Sequence, residues 1–472
     1  MTTYIPVIGL EIHAELLTRT KIFCSCPNSF GGSENSRVCP RCSGLPGTLP
    51  VLNRDAVMLA VKAGLATDCT IHPISAFDRK NYFYPDLPKA YQITQFESPI
   101  CSDGFILLQN KKIRISRIHI EEDAGKLIHD QENNVSLVDY NRCGVPLIEI
   151  VTEPDFRTAE EVQEFVHQIA LRLKYAGVCD ARMEQGSLRV DVNISVMPSG
   201  ATRLGTRTEL KNLNSFKSIG RAIAYEQKRQ SELLAQGKRV FQETRRFNEQ
   251  DGTTSSLRSK GEAHDYRYFP EPDLPPILLS EEEIDTVRKQ LPEMPQQRFL
   301  RYTQTYGLPS EDARLLIEEK AFSDFYDQAT AEFAAYRPTA NLMLGELNRL
   351  FNDTGTSIEH VLFSPTDLAC IIRLSESGSI SKNAAKTLLG LLFHQGGDPE
   401  QLALENGLIM QQDPSGLKAL IDQILAENSP QVEDYKNGNL KILGFLMGQV
   451  IRQGGSSINP KLAKELLLQK LQ

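Results

Sequence analysis

Alternation of polar and apolar residues in short segments is the feature that most restricts the fold of this chain. Residues 7–15 (VIGLEIHAE) alternate, and a strand places successive side chains on opposite faces. One face would carry Ile8, Leu10, Ile12 and Ala14, and the other Gly9, Glu11, His13 and Glu15. The first face suits a hydrophobic core. The second aligns carboxylates with an imidazole.

Three later segments that also resemble strands carry polar side chains. Glu149 interrupts an apolar run in residues 146–154, Asp191 lies on a polar face of residues 188–195, and residues 206–212 align Arg207 with Lys211. Together these segments predict an antiparallel sheet with one packed face and one polar face. Carboxylates beside an imidazole suit Mg²⁺ or Mn²⁺, although a charged strand face that simply meets water stays the alternative.

A carboxylate-held metal beside Arg and Lys is what phosphoryl transfer from ATP requires, because cations neutralise charge on the moving phosphoryl group. The chain has no G-x-x-x-x-G-K-[ST] motif, and its nearest approach, residues 200–207, has no lysine at the required place. We therefore expect a metal-dependent enzyme whose nucleotide site, if it has one, is not a P-loop.

The length and punctuation of the chain predict three domains. A chain of 472 residues exceeds one ordinary hydrophobic core. The Pro-rich segment 268–276 must be extended, Ser280 and Glu283 fit a capping box, and helical periodicity follows until a break at 394–399. We expect a catalytic domain at 1–292, a helical domain at 293–397 and a small tail domain at 398–472.

Composition excludes several classes of protein. The N-terminus lacks the pattern of a signal peptide, and no run of about 18 apolar residues predicts a membrane span. Nine scattered cysteines indicate a reducing compartment, so we expect a cytoplasmic protein. The net charge of −8 gives no overall attraction for nucleic acid.

Two parts of the chain have an unusual local composition. The cysteines Cys24, Cys26, Cys39 and Cys42 form two close pairs, a spacing typical of a structural Zn²⁺ site with four thiolates. The stretch from residue 435 onward carries six basic residues against one acidic residue. Its basic residues include Lys436, Lys441, Arg452, Lys461 and Lys464. Either an RNA-binding tail or a solvated helical face accounts for that bias.

Seven longer motifs carry a resemblance to a known family. They are GLEIHAEL (9–16), FDRKNYFYPDLPKAYQITQ (77–95), HIEEDAGK (119–126), LIEIVTEPD (147–155), ELKNLNSF (209–216), DYRYFPEPDLPP (265–276) and VEDYKNGN (432–439). Nearly from end to end, the chain resembles the B subunits of bacterial Asp/Glu-tRNA amidotransferases.

The resemblance implies an enzyme that makes Gln-tRNA(Gln) from Glu-tRNA(Gln), or Asn-tRNA(Asn) from Asp-tRNA(Asn). In that family the B subunit phosphorylates the misacylated carboxylate with ATP. Ammonia arrives through a tunnel from the A subunit, an amidase, and the small C subunit ties A to B in a heterotrimer. The implied fold is α+β: a glutamine-synthetase-like cradle of antiparallel sheet with helices, then an all-α domain and a helical tail domain that grip tRNA.

The same resemblance implies roles for particular residues. The family's Mg²⁺ ligands fall on His13, Glu122 and Glu149, with Glu11 and Glu121 close by, and these five are the expected catalytic residues. The family's Zn²⁺ site, present in some members, falls on the four cysteines. Charge and strand placement add weaker candidates for phosphate contacts or tunnel lining, namely Lys80, Lys89, Asp191, Arg207 and Lys211.

Two other functions compete with this interpretation. The chain could be a noncatalytic, zinc-stabilised RNA-binding scaffold whose partner does the chemistry, or a carboxylate-metal hydrolase unrelated to ATP. The sequence does not decide whether Glu-tRNA, Asp-tRNA or both are substrates.

Overall fold

A computed structural model describes residues 3–108, 111–130, 132–259, 265–410, 414–436, 439–454 and 460–471. The chain separates into two compact units, Met1–Pro295 and Gln296–Gln472. The first unit mixes strands with helices and the described part of the second is helical, so the fold class is α+β as predicted. The finer limits at 292/293 and 397/398 stay predictions.

The first unit contains the described strands. They are β1 Tyr4–Glu15, β2 Thr70–Ile71, β3 Ile74–Ser75, β4 Asp78–Asn81, β5 Tyr91–Thr94, β6 Cys101–Leu108, β7 Lys111–Glu122, β8 Lys126–Asp130, β9 Val135–Asp139, β10 Pro146–Thr152, β11 Leu188–Pro198, β12 Thr208–Leu213, β13 Glu243–Asn248, β14 Thr253–Ser259, β15 Phe269–Pro270 and β16 Ile277–Leu278. Its helices are α1 Arg54–Ala66, α2 Ala159–Tyr175, α3 Phe216–Ala235 and α4 Glu281–Gln290, with a 3₁₀ turn at Met183–Gln185.

Nine of the described strands form one sheet in the order β14-β13-β12-β11-β1-β10-β7-β6-β2. Its neighbouring strands are antiparallel except for β12 and β13, which are parallel. The prediction of an antiparallel sheet is wrong at this pair. Helix α3 carries the chain from the end of β12 back to the start of β13, and such a crossover makes the two strands parallel.

The apolar face of this sheet forms the main core with helices α1, α2 and α3. Ile12, Ile120 and Ile148 are fully buried there against helix residues such as Val166 and Ile219. Alternation accounts for the arrangement, because each strand buries every second side chain and turns its polar residues to the other face. The core thereby fixes which side chains can meet on the polar face.

Short strands beside the sheet bring distant segments to its edge. Strand β4 pairs with both β5 and β15, so the Pro-rich segment is extended as predicted. The Thr94 hydroxyl on β5 contacts Glu121 on β7 at 3.3 Å. The predicted capping box of Ser280 and Glu283 begins helix α4 and is confirmed.

Helices make up the remainder of the described chain. They are α5 Pro295–Leu300, α6 Ser310–Ile317, α7 Lys320–Glu332, α8 Tyr336–Leu342, α9 Asn348–Thr354, α10 Pro365–Glu376, α11 Lys382–Gln395, α12 Pro399–Glu405, α13 Pro414–Glu427, α14 Ser429–Lys436, α15 Ile442–Gly454 and α16 Pro460–Leu471, with π-helical turns at Arg301–Thr305 and Met343–Leu347 and a 3₁₀ turn at Ile358–His360. In the described residues the helices pack around two hydrophobic clusters, one from Tyr302 to Ala403 and one from Leu417 to Leu471. None of the described helices has the length and apolar character needed to cross a bilayer.

Candidate active site

Strand register aligns the polar side chains of four neighbouring strands. On β1, His13 lies opposite Glu149 of β10, and Glu149 lies opposite His119 of β7. On the other side of β1, Glu11 lies opposite Asp191 of β11. The alternation that buries the isoleucines therefore places these side chains in one continuous row on the polar face.

The first cluster on this row holds two imidazoles against two carboxylates. His13 Nε2 lies 3.3 Å from a Glu121 carboxylate oxygen and 3.4 Å from one of Glu149. His119 Nε2 lies 3.3 Å from Glu149 and 3.7 Å from Glu121. His13, Glu121 and Glu149 each offer a ligand atom, and these atoms lie within 4.8 Å of one another.

Burial and charge set the protonation of this cluster. Burial opposes the charged form of His13, yet its hydrogen bonds to Glu121 and Glu149 raise its pKa to about 10. Burial likewise opposes ionisation of the two carboxyls, but the histidines hold the pKa of Glu121 and of Glu149 below the usual range. The four groups thus form a charged set in which a divalent cation would replace the imidazole protons.

The donor set fits Mg²⁺, because hard oxygens with an imidazole converge on one point. The buried Nδ1 of His119 has no hydrogen-bond partner among the described residues. Protein groups alone therefore leave this one polar atom of the cluster unsatisfied, as expected beside a place that holds an ion or water.

Glu122 does not join this cluster, which corrects the expected set of His13, Glu122 and Glu149. Consecutive strand residues point to opposite faces, so Glu121 meets the histidines and Glu122 turns away. The Glu122 carboxylate accepts hydrogen bonds from Lys89 Nζ at 2.7 Å and from the backbone N–H of Ile93 at 2.9 Å.

A second cluster lies on the same face. Glu11, Asp191 and Glu209 also offer oxygens within 4.8 Å of one another. Lys211 Nζ lies 2.5 Å from Asp191 and 3.0 Å from Glu209, and the Asn193 amide donates to Glu11 at 2.9 Å. Burial first, and then the charge of Glu149, raises the pKa of Glu11, so the two clusters sense each other's charge.

The four cysteines form a third group, which shares no residue with the two carboxylate clusters. Their sulfurs lie within 4.8 Å of one another. Lys21, which is fully buried, places Nζ 3.7 Å from Cys42 Sγ. The hydrogen bond from Cys24, with further help from the Cys39 backbone and Lys21, lowers the pKa of Cys42 to about 4. Four convergent sulfurs with no oxygen ligand fit a closed Zn²⁺ site.

Comparison with known proteins identifies the family of the chain. The family description "GatB/GatE catalytic domain" matches residues 6–285, and "GatB domain" matches residues 324–471. The chain belongs to the GatB family.

Curated relatives cover the chain from end to end. The B subunit of the aspartyl/glutamyl-tRNA(Asn/Gln) amidotransferase of Ruminiclostridium cellulolyticum is 51% identical over 99% of this chain and 97% of its own length. The B subunits of the same name from Caldicellulosiruptor saccharolyticus and Myxococcus xanthus are 51% and 48% identical, over 99% of this chain and 99% and 98% of their own lengths.

Among the weaker candidates, Lys80 and Arg207 flank the row of GatB carboxylates. Burial would lower the pKa of Lys80, but Glu121, two tyrosines and Glu149 raise it. Exposed Arg207 lines a cavity of about 270 Å³ over β1, β10 and β11, together with Glu11 and Leu204. Asp191 and Lys211 belong to the second cluster, whereas Lys89 binds Glu122 away from both clusters.

The basic residues of the tail lie on its helices and connecting turns. Lys436, Lys441, Arg452 and Lys464 are exposed. Lys461 lies in helix α16, but its side chain is outside the described residues. Exposure agrees with either phosphate contacts or a solvated face, so the assignment of these residues to tRNA binding stays a prediction.

Two residues of the site were not selected from the sequence. His119 is two positions before Glu121, so the period of a strand puts both on one face. Glu209 lies between Arg207 and Lys211 on the polar face predicted for residues 206–212, and it completes the second cluster. In both cases strand alternation indicates the polar face on which the residue lies. The sequence does not show which strands are neighbours, and that order decides which side chains meet.

Proposed function

We propose that this chain is the ATP-using subunit of a tRNA-dependent amidotransferase. Its curated relatives, matched over 97% and 99% of their own lengths, are named as B subunits of the aspartyl/glutamyl-tRNA(Asn/Gln) amidotransferase. The reaction phosphorylates the side-chain carboxylate of the amino acid on Glu-tRNA(Gln) or Asp-tRNA(Asn), and ammonia then replaces the phosphate. The observation that carries the proposal is the pair of carboxylate clusters side by side on one face of the sheet.

Each cluster would hold one Mg²⁺ against the phosphates of ATP. His13, Glu121 and Glu149 form the first site, with His119 orienting the two glutamates. Glu11, Asp191 and Glu209 form the second. When bound, Mg²⁺ supplies positive charge that neutralises the phosphates. The family resemblance also implies a likeness to the sheet of glutamine synthetase, an enzyme that activates glutamate as an acyl-phosphate.

The chain's own residues then position two substrates. The substrate carboxylate oxygen attacks the γ-phosphorus of ATP, and the bond from that phosphorus to the bridging oxygen of ADP breaks. Lys211 and Lys80, at the two ends of the row, stabilise negative charge on the phosphates. Ammonia then attacks the acyl carbon, inorganic phosphate leaves with the bonding electron pair, and one proton is lost from nitrogen.

Nucleoside and ammonia would use different openings. The 270 Å³ cavity beside Arg207 adjoins the second cluster and would take the nucleoside of ATP. Lys89 and Glu122 line another cavity, of about 200 Å³, next to Cys24 and Cys42. We assign that cavity to ammonia delivered by the amidase, the A subunit, with the small C subunit completing the heterotrimer.

The remaining parts support binding and stability. Zn²⁺ on the four cysteines would hold the loop beside the 200 Å³ cavity, without an open position for chemistry. The exposed cations of the tail would contact tRNA phosphates, which set affinity rather than sequence preference. The protein would act in the cytoplasm, since the chain's scattered free cysteines suit a reducing compartment.

Single-turnover amidation by the purified heterotrimer tests this proposal. Glu-tRNA(Gln) and Asp-tRNA(Asn) are compared, with ADP and amide both measured. We expect tRNA-dependent ADP from the unmodified heterotrimer, and its loss in His13→Ala and Glu149→Gln variants that keep their melting temperatures.

The competing functions give different results. A noncatalytic scaffold would yield the same ADP in both variants as in the unmodified heterotrimer. A hydrolase unrelated to ATP would keep Mg²⁺-dependent turnover after complete removal of nucleotide. Either result would overturn the proposed function.

A further inference from the structure

Four aromatic rings contact one another in series beside β7, and we call them the aromatic box: Tyr82, Phe96, Tyr266 and Tyr268. Phe96 and Tyr268 stack with ring centroids 4.1 Å apart and planes 8° from parallel. Tyr266 lies 6.0 Å from Tyr268 and 5.9 Å from Tyr82, edge to face in both cases. Phe96 is 39% exposed, so this stack ends in an accessible ring.

Cations accompany these rings. Lys80 Nζ lies 5.0 Å from the centre of the Tyr266 ring and 5.7 Å from that of Tyr82. Arg117 donates to the backbone carbonyl of Phe96 at 3.0 Å, with its guanidinium carbon 5.8 Å from the Phe96 ring centre. Stacked rings with cations beside them are the combination that binds single-stranded nucleic acid, because every base has a π-face and every nucleotide carries a negatively charged phosphate.

The box lies close to the first cluster. Lys80 is half-buried on β4. Thr94 precedes Phe96 by two residues, and its hydroxyl contacts Glu121 of the first cluster at 3.3 Å. On β7, Arg117 and Glu121 share the polar face. A group stacked on the box is therefore next to the carboxylates proposed to hold the first cation.

Contacts with β7 place the box on one side of the site, and the nucleoside cavity lies on the other. The box adjoins β7 through the hydrogen bond from Arg117 to Phe96, whereas the cavity beside Arg207 extends over β10, β1 and β11, the next strands of the sheet. Neighbouring strands are about 4.8 Å apart, so β7 and β11 are separated by about 14 Å. In-line phosphoryl transfer needs donor and acceptor on opposite sides of the phosphorus. With ATP entering from the cavity, the acceptor must approach from the box.

We propose that the aromatic box binds the 3′-terminal adenosine of the aminoacylated tRNA, with its adenine stacked on Phe96 and its phosphate near Arg117. The inference rests on the proposed function and adds the subsite for the acceptor end. Stacking holds the terminal ribose so that the attached side chain reaches the first cluster. The adenine of ATP shares this chemistry, so a test must separate the two adenines.

A non-hydrolysable mimic of the charged terminus provides the probe. We use 3′-deoxy-3′-(glutamylamido)adenosine 5′-phosphate, and a matched compound that lacks the adenine, as inhibitors of the heterotrimer. Removing the base from the inhibitor should raise its inhibition constant roughly tenfold with the unmodified heterotrimer. In Phe96→Ala the two compounds should bind alike, because the base has lost its stacking partner, whereas Phe96→Tyr should restore the difference.

Three further measurements keep the test decisive. The KM for ATP should be the same in Phe96→Ala, and a selective rise in this KM would assign the box to the adenine of ATP and overturn the inference. Phe241→Ala, which removes another exposed ring, should bind both compounds as the unmodified heterotrimer does. Equal inhibition by both compounds in the unmodified heterotrimer would also refute the box. Absence of tRNA-dependent ADP in that heterotrimer would instead refute the proposed function.

Discussion

At the scale of single residues, Glu121 and Glu122 are neighbours in sequence but belong to different environments. Glu121 contacts two histidines, while Glu122 is tied to Lys89 and to the backbone of Ile93. Because the two carboxylates lie on opposite faces of β7, they cannot share one cation. Their different partners predict that their substitution will separate two steps of the reaction.

Glu121→Gln should lower tRNA-dependent ADP formation by about 100-fold, because an acidic ligand of the first cluster is removed. Glu122→Gln should keep ADP formation but reduce amide formation with glutamine as the nitrogen donor, since Lys89 loses its partner beside the proposed ammonia cavity. ADP and amide are measured in one time course, with ammonium chloride as an alternative donor. Equal loss of ADP formation in both variants would contradict these separate roles.

The pKa of His13 leads to a prediction about pH. Its folded value of about 10 exceeds the usual unfolded value of about 6.5. Its contribution to the free energy of unfolding is therefore fully present below pH 6.5 and is lost as pH rises toward 10. Urea unfolding in magnesium-free buffer should show this decrease between pH 6.5 and 10.

His13→Gln is the matched control for this titration. Its unfolding free energy should change less across the same pH range, because the glutamine has no proton to lose. Parallel pH curves for the unmodified chain and the variant would show that His13 is not the group responsible. Added Mg²⁺ should bind more tightly as pH rises, since binding releases the imidazole proton.

The sequence could predict which side chains share a strand face, but not all of their contacts. Alternation correctly put Glu11 with His13, and the run around Glu149 correctly marked a carboxylate that needs partners. The sequence pattern could not show that β1 lies between β10 and β11, because strand order depends on long-range packing. His119 therefore escaped selection, and the choice between Glu121 and Glu122 needed the register of β7 against β10.

At the scale of elements, local sequence patterns predicted where a helix begins better than they predicted how strands pair. The capping box at Ser280 follows from residues three positions apart, so its geometry is local. The parallel pairing of β12 with β13 depends instead on helix α3 and on the neighbours of the sheet. For that reason the segment 206–212 was recognised as a strand while the direction of its partner was not.

The cysteine loop, which carries Cys24, Cys26, Cys39 and Cys42, allows a direct test of the proposed Zn²⁺ site. Gly44 has a φ of +66°, and a Cβ there would lie 2.7 Å from Lys89 Cγ, so the loop packs closely on Lys89. Zn²⁺ content of the purified chain should be one per molecule and should fall to near zero in Cys39→Ser. Loss of the metal should disturb Lys89 and lower glutamine-supported amide formation more than ADP formation.

Cys370→Ser is the control for the cysteine loop, because Cys370 lies in helix α10 and belongs to none of the metal-ligating groups found in the described residues. It should keep one Zn²⁺ per molecule. A zinc-free wild-type chain with full amide formation would contradict the structural role of the metal. Equal zinc loss in both variants would point to a general effect of cysteine replacement.

At the scale of the whole molecule, chemistry and tRNA affinity are assigned to different units. Both carboxylate clusters belong to Met1–Pro295, whereas the exposed cations of the tail belong to Gln296–Gln472. The last hydrophobic cluster runs from Leu417 to Leu471 and is separate from the preceding one. Met410 is held to Ser379 by a backbone hydrogen bond of 2.8 Å, so a chain that ends there keeps the preceding helices tied together.

A chain ending at Met410, assembled with its partner subunits, should bind ATP with unchanged affinity and Glu-tRNA(Gln) more weakly at moderate salt. The logarithm of tRNA affinity against the logarithm of salt concentration should become less steep, by about 0.9 for each phosphate that the protein no longer neutralises. The intact chain with glutamine at Lys436, Lys441, Arg452 and Lys464 is the matched variant. If charge carries the interaction, this variant reproduces the reduced slope while retaining the helices. Unchanged tRNA affinity in the truncated chain would instead show that the basic surface is only solvated, and that the tRNA is held elsewhere.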